Sequence, residues 1–228
     1  MSAIRLGTRA STLATTQSEM VARLLRSEGL DVDLTTITTH GDTSTASLAA
    51  MGGIGVFASA IRATLLKGEA DIAVHSFKDL PTGRPLGLAI GAVPARADPR
   101  DALVARDGLT LHDLPQEASV GTGSPRRAAQ LLAVRPDLTI VDIRGNVDTR
   151  LGRVKGLGHY AKGGGKEDLD AVVLAASGLA RLGHSGTVTE FLDPSVVLPA
   201  PAQGALAVEC RTADSRHGKL AKALARID

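Results

Sequence analysis

Short apolar runs alternate with stretches of helical period along the chain. Ala3–Leu6 reads as a strand, and Thr12–Arg26 as a helix with Leu13, Met20, Leu24 and Leu25 near one face. Leu34–Thr38 is a second strand, and Phe57–Lys67 a helix with Phe57, Ile61, Leu65 and Leu66 apolar. Asp71–His75 is a strand of the buried type, and Leu86–Val93 and Ala102–Ala105 are further strands. A second set begins with a strand end at Ser119–Gly121 and a helix over Ser124–Val134. A strand over Leu138–Ile143, a helix over Val147–Lys155, a buried strand over Asp170–Ala175 and a helical turn near Gly178–Leu182 follow. Such alternation predicts α/β units around mainly parallel sheets. Two sets predict two α/β domains, with a boundary near Pro94–Arg100. Pro194–Cys210 is apolar and Pro-punctuated. A strand there that returned to the first domain would give a double crossover. Tyr160–Lys166 reads as a flexible surface loop, and its Gly-Gly-Gly-Lys lacks the spacing of a phosphate-cradling loop. Gly41–Gly55 is rich in small residues and is either a mobile lid or an ordinary surface loop.

Composition narrows the class. A chain of 228 residues buries a core without staples, and its single cysteine excludes an internal disulfide. Arg5 and Arg9 interrupt the N-terminus before any signal-peptide run, and nothing approaches the ~18 apolar residues of a membrane span. The expectation is a soluble cytoplasmic protein with no membrane partner. The net charge is +2, but 19 of the 26 basic residues are Arg, a side chain that grips carboxylates and phosphates with two parallel hydrogen bonds. A coding bias toward Arg accounts for the same total, so position has to decide. Only Phe57, Phe77, Phe191 and Tyr160 are aromatic, too few for a base-stacking surface, and no long basic run exists. Nucleic-acid binding is therefore not expected.

The informative residues follow the strands. Gly7-Thr8-Arg9-Ala10-Ser11 comes after the first strand, and Thr122-Gly123-Ser124-Pro125-Arg126-Arg127 comes after Ser119–Gly121. Arg144-Gly145-Asn146-Val147-Asp148-Thr149-Arg150 comes after Leu138–Ile143. Ser124 is placed to cap a helix whose first residue is Pro125, and Asn146 to cap the next. Ligands of open α/β sheets bind at the carboxyl ends of strands, where helix N-termini offer N–H groups to anions. An arginine there opposes the helix dipole. Three such placements read as a site for a multiply charged anion, against the alternative of arginines on a solvated face. A fourth strand end, His75-Ser76-Phe77-Lys78-Asp79-Leu80-Pro81, sets an acid beside a base, suited to proton transfer or simply to a helix cap beside a surface lysine. The six histidines show no close metal-ligand spacing, so no metal is expected. Cys210, in an apolar strand, reads as a buried structural thiol.

Taken together, GTRAS (7–11), Gln17, HGD (40–42), DIAVHSFKDLP (71–81), DPRDALV (98–104), VGTGSPRRAAQL (120–131), DIRGNVDTRL (142–151), LAASGLARLG (174–183) and LPAPAQGALAVECR (198–211) resemble hydroxymethylbilane synthase, or porphobilinogen deaminase. The resemblance runs in order from about residue 4 to the C-terminus. It implies a transferase of haem and porphyrin (tetrapyrrole) biosynthesis that polymerises four porphobilinogen units into linear hydroxymethylbilane with release of ammonia. It implies two α/β domains like those of periplasmic binding proteins: 1–95 plus 196–212, and 99–192. Residues 213–228 would begin the connection to the family's small third domain, expected to be absent here. Asp79 matches the catalytic aspartate, with Lys78 beside it. Arg9, Ser11, Arg126, Arg127, Arg144, Arg150 and Arg181 match positions that hold substrate and cofactor carboxylates, with Ser124 and Gln17 taken alongside them. The family's dipyrromethane cofactor is attached to a cysteine of the third domain, and Cys210 is not its counterpart.

One departure lies in GGIGVFASA (52–60), where some relatives carry lysines in place of Ile54 and Ser59. Two rival readings stand beside the enzyme: a non-catalytic two-domain binding protein for a carboxylated small molecule, and an inactive fragment of the synthase. A monomer is expected.

Overall fold

The computed structural model describes residues 3–37, 56–83, 85–216 and 218–228, the side chains of Val56 and Phe57 excepted. The HGD motif (40–42), the lid candidate Gly41–Gly55 and Ile54 lie outside them. In chain order the elements are β1 (Ile4–Thr8), α1 (Thr12–Ser27), β2 (Val32–Thr36), α2 (Val56–Leu66), β3 (Ile72–Ser76) and β4 (Leu88–Ala92). There follow β5 (Asp101–Ala105), β6 (Ser119–Gly121), α3 (Pro125–Val134), β7 (Thr139–Val141), α4 (Val147–Leu151), β8 (Ala171–Ala175), α5 (Ala176–Arg181) and β9 (Glu190–Phe191). The chain ends with β10 (Leu206–Arg211) and α6 (Gly218–Ile227).

Two compact units result: residues 1–97 with 205–228, and residues 98–204. Their sheets share one plan. In the first, the order is β2-β1-β3-β10-β4; in the second, β7-β6-β8-β5-β9. Three neighbouring strands are parallel in each, and the fourth runs antiparallel to both of its neighbours. That antiparallel strand opens the segment that has just arrived from the other unit, β10 after Gly204 and β5 after Ala97. The sheets are therefore mixed rather than mainly parallel.

The extent of each unit differs from expectation at two places. Residues 196–204 belong to the second unit, because Val197 is fully buried in its core and Gln203 bonds to Asp101. Residues 213–228 belong to the first, because α6 buries Ala223, Leu224 and Ile227 against Val21, Leu25 and Val208 of its core. Burial of such aliphatic side chains contributes about 1.5–3 kcal/mol each.

The inner face of α1 is Gln17, Ser18, Val21, Ala22 and Leu25, whereas Met20 and Leu24 are exposed, so the expected face is rotated. Similarly, Ile61 and Leu65 of α2 are buried while Leu66 is exposed. Helix α4 stops at Leu151, four residues short of expectation, because Gly152 leaves the helix to pack under the 158–167 loop. That loop lies at the surface, as expected, and is tied back by hydrogen bonds. Gly165 donates to the Gly158 carbonyl at 2.9 Å, and the Glu167 carboxylate accepts from the Gly158 N–H at 2.8 Å.

Candidate functional site

In the second unit, β6 ends at Gly121 and the chain turns into α3. Ser124 caps that helix, its hydroxyl accepting from the Arg127 N–H at 3.4 Å, and Pro125 opens it. A Cβ on Gly123 would lie 2.6 Å from the Ile143 carbonyl oxygen, so only glycine lets the turn pass that close to the strand end. The Arg126 and Arg127 side chains then meet an acid from the DPRDALV motif (98–104) to which the sequence alone assigns no role. Asp101, first residue of β5, is fully buried. Because β5 runs antiparallel to β8 with Asp101 opposite Ala175, this acid stands at the carboxyl end of the parallel strands. Its Oδ2 accepts from an Arg126 guanidinium nitrogen at 2.8 Å, and its Oδ1 from Arg127 at 2.6 Å and Gln203 Nε2 at 2.8 Å. Burial alone would push the Asp101 carboxyl up; bonds from Arg127, Arg126 and Gln203 outweigh it and hold the carboxyl below its ordinary value. Arg127 also donates to the Val173 carbonyl at 3.1 Å, and Arg126 to the Leu198 carbonyl. Neither arginine is a solvated surface cation.

Asn146 caps α4, accepting from the Thr149 N–H at 2.8 Å. Arg150 on this short helix donates to the Gly145 carbonyl at 2.9 Å. Its charged form is disfavoured by burial, then by the positive charges of Arg127 and Arg144, with Asp142 acting the other way. The turns after β6 and β7 thus bring Arg127 and Arg144 within electrostatic reach of Arg150. Arg181, on α5, donates to the Gly204 carbonyl at 2.7 Å, and burial pulls its pKa down. Cations gathered in this way are stabilised by any anion placed among them.

The first unit places its candidates separately. Ser11 caps α1, accepting from the Ala14 N–H at 3.4 Å, and Arg9 is half-buried between β1 and that cap. Lys78 and Asp79 are exposed on a 3-10 turn, Phe77–Asp79, directly after β3. The turn is pinned by the Phe77 N–H, which donates to the Ala205 carbonyl at 3.1 Å at the start of β10. Gln17 is buried, and its amide exchanges hydrogen bonds with the Ser76 hydroxyl, at 3.1 Å from Nε2 and 3.2 Å to Oε1. On the inner face of α1, it holds the end of β3.

Sequence reasoning passed over a second buried carboxylate. Glu209 on β10 is 1% exposed, accepts from Arg62 Nε at 3.0 and 3.1 Å, and lies 3.2 Å from His75 Nε2. The signal was present for both acids: a carboxylate set in an apolar run, Asp101 before ALVA or Glu209 after LAV, must have a buried partner.

Paired α/β units joined by two chain crossings, with arginines gathered at strand ends, define the periplasmic-binding-protein class of fold. Solved structures agree: a periplasmic substrate-binding protein of an ABC transporter from Coxiella burnetii matches with TM-score 0.57 at 16% identity, covering 98% of this chain and 91% of that one. A nutrient-binding protein from Burkholderia cenocepacia, bound to methionine, matches with TM-score 0.56 at 15% identity, over 97% and 91%. Sequence comparison is more specific. The family model for porphobilinogen deaminase, dipyromethane cofactor binding domain, matches residues 4–219. The chain belongs to the porphobilinogen deaminase family. It is 97% identical over its whole length to porphobilinogen deaminase of Cutibacterium acnes, spanning 68% of that protein. It is 59% identical over 221 residues to that of Micrococcus luteus, spanning 59% of it.

Proposed function

We propose that this chain forms the substrate- and cofactor-handling part of a transferase that deaminates porphobilinogen and joins four units into linear hydroxymethylbilane for haem biosynthesis. The observation that carries this reading is the gathering of Arg127, Arg144 and Arg150 in the turns and first helical turns that follow β6 and β7, in a chain of this family. Each pyrrole of the substrate brings two carboxylates, so the growing product is a polyanion, and charge-assisted bonds to arginine contribute about 1.5–3 kcal/mol each. Ser11 and Ser124 each accept a helix N–H, which leaves the hydroxyl proton free to be donated to a ligand carboxylate.

Deamination breaks the bond between the aminomethyl carbon and nitrogen. The electron pair leaves with ammonia, and a cationic azafulvene remains. In this reading the Asp79 carboxylate faces that cation and stabilises it, with Lys78 beside it neutralising a substrate carboxylate. Arg9 of the first unit, and Arg126, Arg127, Arg144, Arg150 and Arg181 of the second, each suit a carboxylate of dipyrromethane, which when bound supplies the primer for chain growth. Cys210 does not suit its attachment: the thiol is buried on β10 and burial pushes its pKa up to about 11. Among the described residues no helix is long and apolar enough to cross a membrane. A cytoplasmic monomer that binds no nucleic acid completes the proposal, checked by cell fractionation and light scattering.

The test is Asp79→Asn in the full-length protein. The amide keeps the side chain's shape but cannot balance a cation, so porphobilinogen consumption should fall at least about a hundredfold with folding unchanged. Wild-type turnover by this variant would remove Asp79 from the reaction.

A further inference from the structure

Arg126 and Arg127 occupy the first turn of α3, where the helix dipole and their mutual repulsion both push them toward solvent. They remain folded inward, at 28% and 8% side-chain exposure. Each is drawn to the same carboxylate, one to each oxygen of Asp101, and Gln203 supplies a third, neutral donor. We propose that Asp101 is the positioning residue of this arginine pair: it selects which guanidinium edge stays available and leaves the pair one positive charge in excess, so that the pair takes one ligand carboxylate rather than two.

Three observations support this. The acid is fully buried, so it cannot itself touch a dissolved ligand, and its whole acceptor capacity faces the two arginines and Gln203. The remaining anchors, the carbonyls of Val173 and Leu198, are neutral and leave the charge count at two cations and one anion. Gln203 Nε2 also donates to the Pro99 carbonyl at 2.7 Å, which fixes the short segment that delivers Asp101 to the strand ends. A neutral asparagine at 101 would keep the volume, offer one acceptor oxygen instead of two, and turn an amide N–H₂ toward a guanidinium. Both arginines would then be uncompensated, and a small anion could fill the place the carboxylate held.

The inference rests on the reading that this pair holds a substrate carboxylate, so the experiment has two readouts. In full-length protein, Asp101→Asn should raise the KM for porphobilinogen about tenfold while kcat falls less than about threefold, as expected when ground-state and transition-state binding are lost together. Inorganic phosphate should inhibit the variant about tenfold more strongly than it inhibits the wild type. Independently of turnover, the guanidinium Nη signals of Arg127 in ¹⁵N-labelled protein should be resolved and slowly exchanging in the wild type and averaged in the variant. Should the wild type not consume porphobilinogen, the functional reading fails while these signals still decide the positioning. If Asp101→Asn does not fold, Gln203→Met, which keeps both ion pairs and removes one donor, should raise KM about threefold and broaden the same signals. Wild-type KM, phosphate sensitivity and arginine signals in a folded variant would show that Asp101 is only a buried structural acid.

Discussion

Replacing Glu209 by Gln removes one buried charge from β10 and little else. Around that side chain Arg62 supplies a two-nitrogen grip at 2.9–3.1 Å and His75 approaches to 3.2 Å, with Arg62 itself only 15% exposed. The variant leaves the Arg62 guanidinium buried against an amide that offers one acceptor and two donors. Breaking one partner of a buried pair costs about 3–5 kcal/mol. For a chain of this size each kcal/mol moves the melting temperature by about 2–4 °C, so the transition should fall by about 6–20 °C. The pH dependence has a fixed sign. Burial alone would raise the Glu209 pKa, but the His75 and Arg62 bonds outweigh it and depress the folded value. The contribution of this carboxylate is therefore present at neutral pH and is lost as pH falls below the ordinary carboxylate range, and the gap between wild type and variant should narrow there. Calorimetry of both proteins at pH 7 and near pH 3 checks this. A melting temperature unchanged at pH 7, or a gap that widens in acid, would refute the reasoning.

Three further outcomes are expected. Asp71 is pushed upward by burial but held at about 2 by Arg5 and Arg211, so its contribution should be intact above about pH 4 and disappear toward pH 2. Asp71→Asn should abolish that part of the acid unfolding profile. Cys210, fully buried with its pKa raised to about 11, should resist iodoacetamide at pH 7.5 for as long as the protein stays folded, with stoichiometric labelling in guanidinium; rapid native labelling would contradict the burial. Gly165→Ala should destabilise by at least about 1–3 kcal/mol in urea titration, since its Cβ would lie 1.7 Å from the Gly152 carbonyl oxygen and backbone cannot yield cheaply; a neutral substitution would show that the loop repacks.

Much of the fold was legible because the strands are short apolar runs and the helices begin with readable caps. Ser124, Pro125 and Asn146 do locally what their chemistry predicts. Less legible were features set by distant partners. Strand β9 has two residues and exists only by pairing with β5. Helix α6 has a pattern that matters only once the core of the first unit is there to receive Ala223 and Leu224. The same division runs through the candidate site. Arginines at strand ends can be found from spacing, but the acid that arranges two of them lies about 25 residues earlier in the chain, delivered by a strand whose direction the sequence does not disclose. The inward-facing side of α1, with Gln17 bonded to Ser76, is likewise fixed only once the rotation of the helix about its axis is known.

The placement of β10 also bears on the order in which a newly made chain matures. Residues 98–204 emerge from the ribosome as a continuous stretch holding every strand of their own sheet. The first unit, although begun earlier, lacks the strand between β3 and β4 until residue 211 has been synthesised. At ~5–20 residues per second, β1 to β4 wait several seconds with an unfilled gap and uncovered apolar surface. The later half of the molecule holds all the strands of its sheet first, and the earlier half closes its own only when β10 arrives.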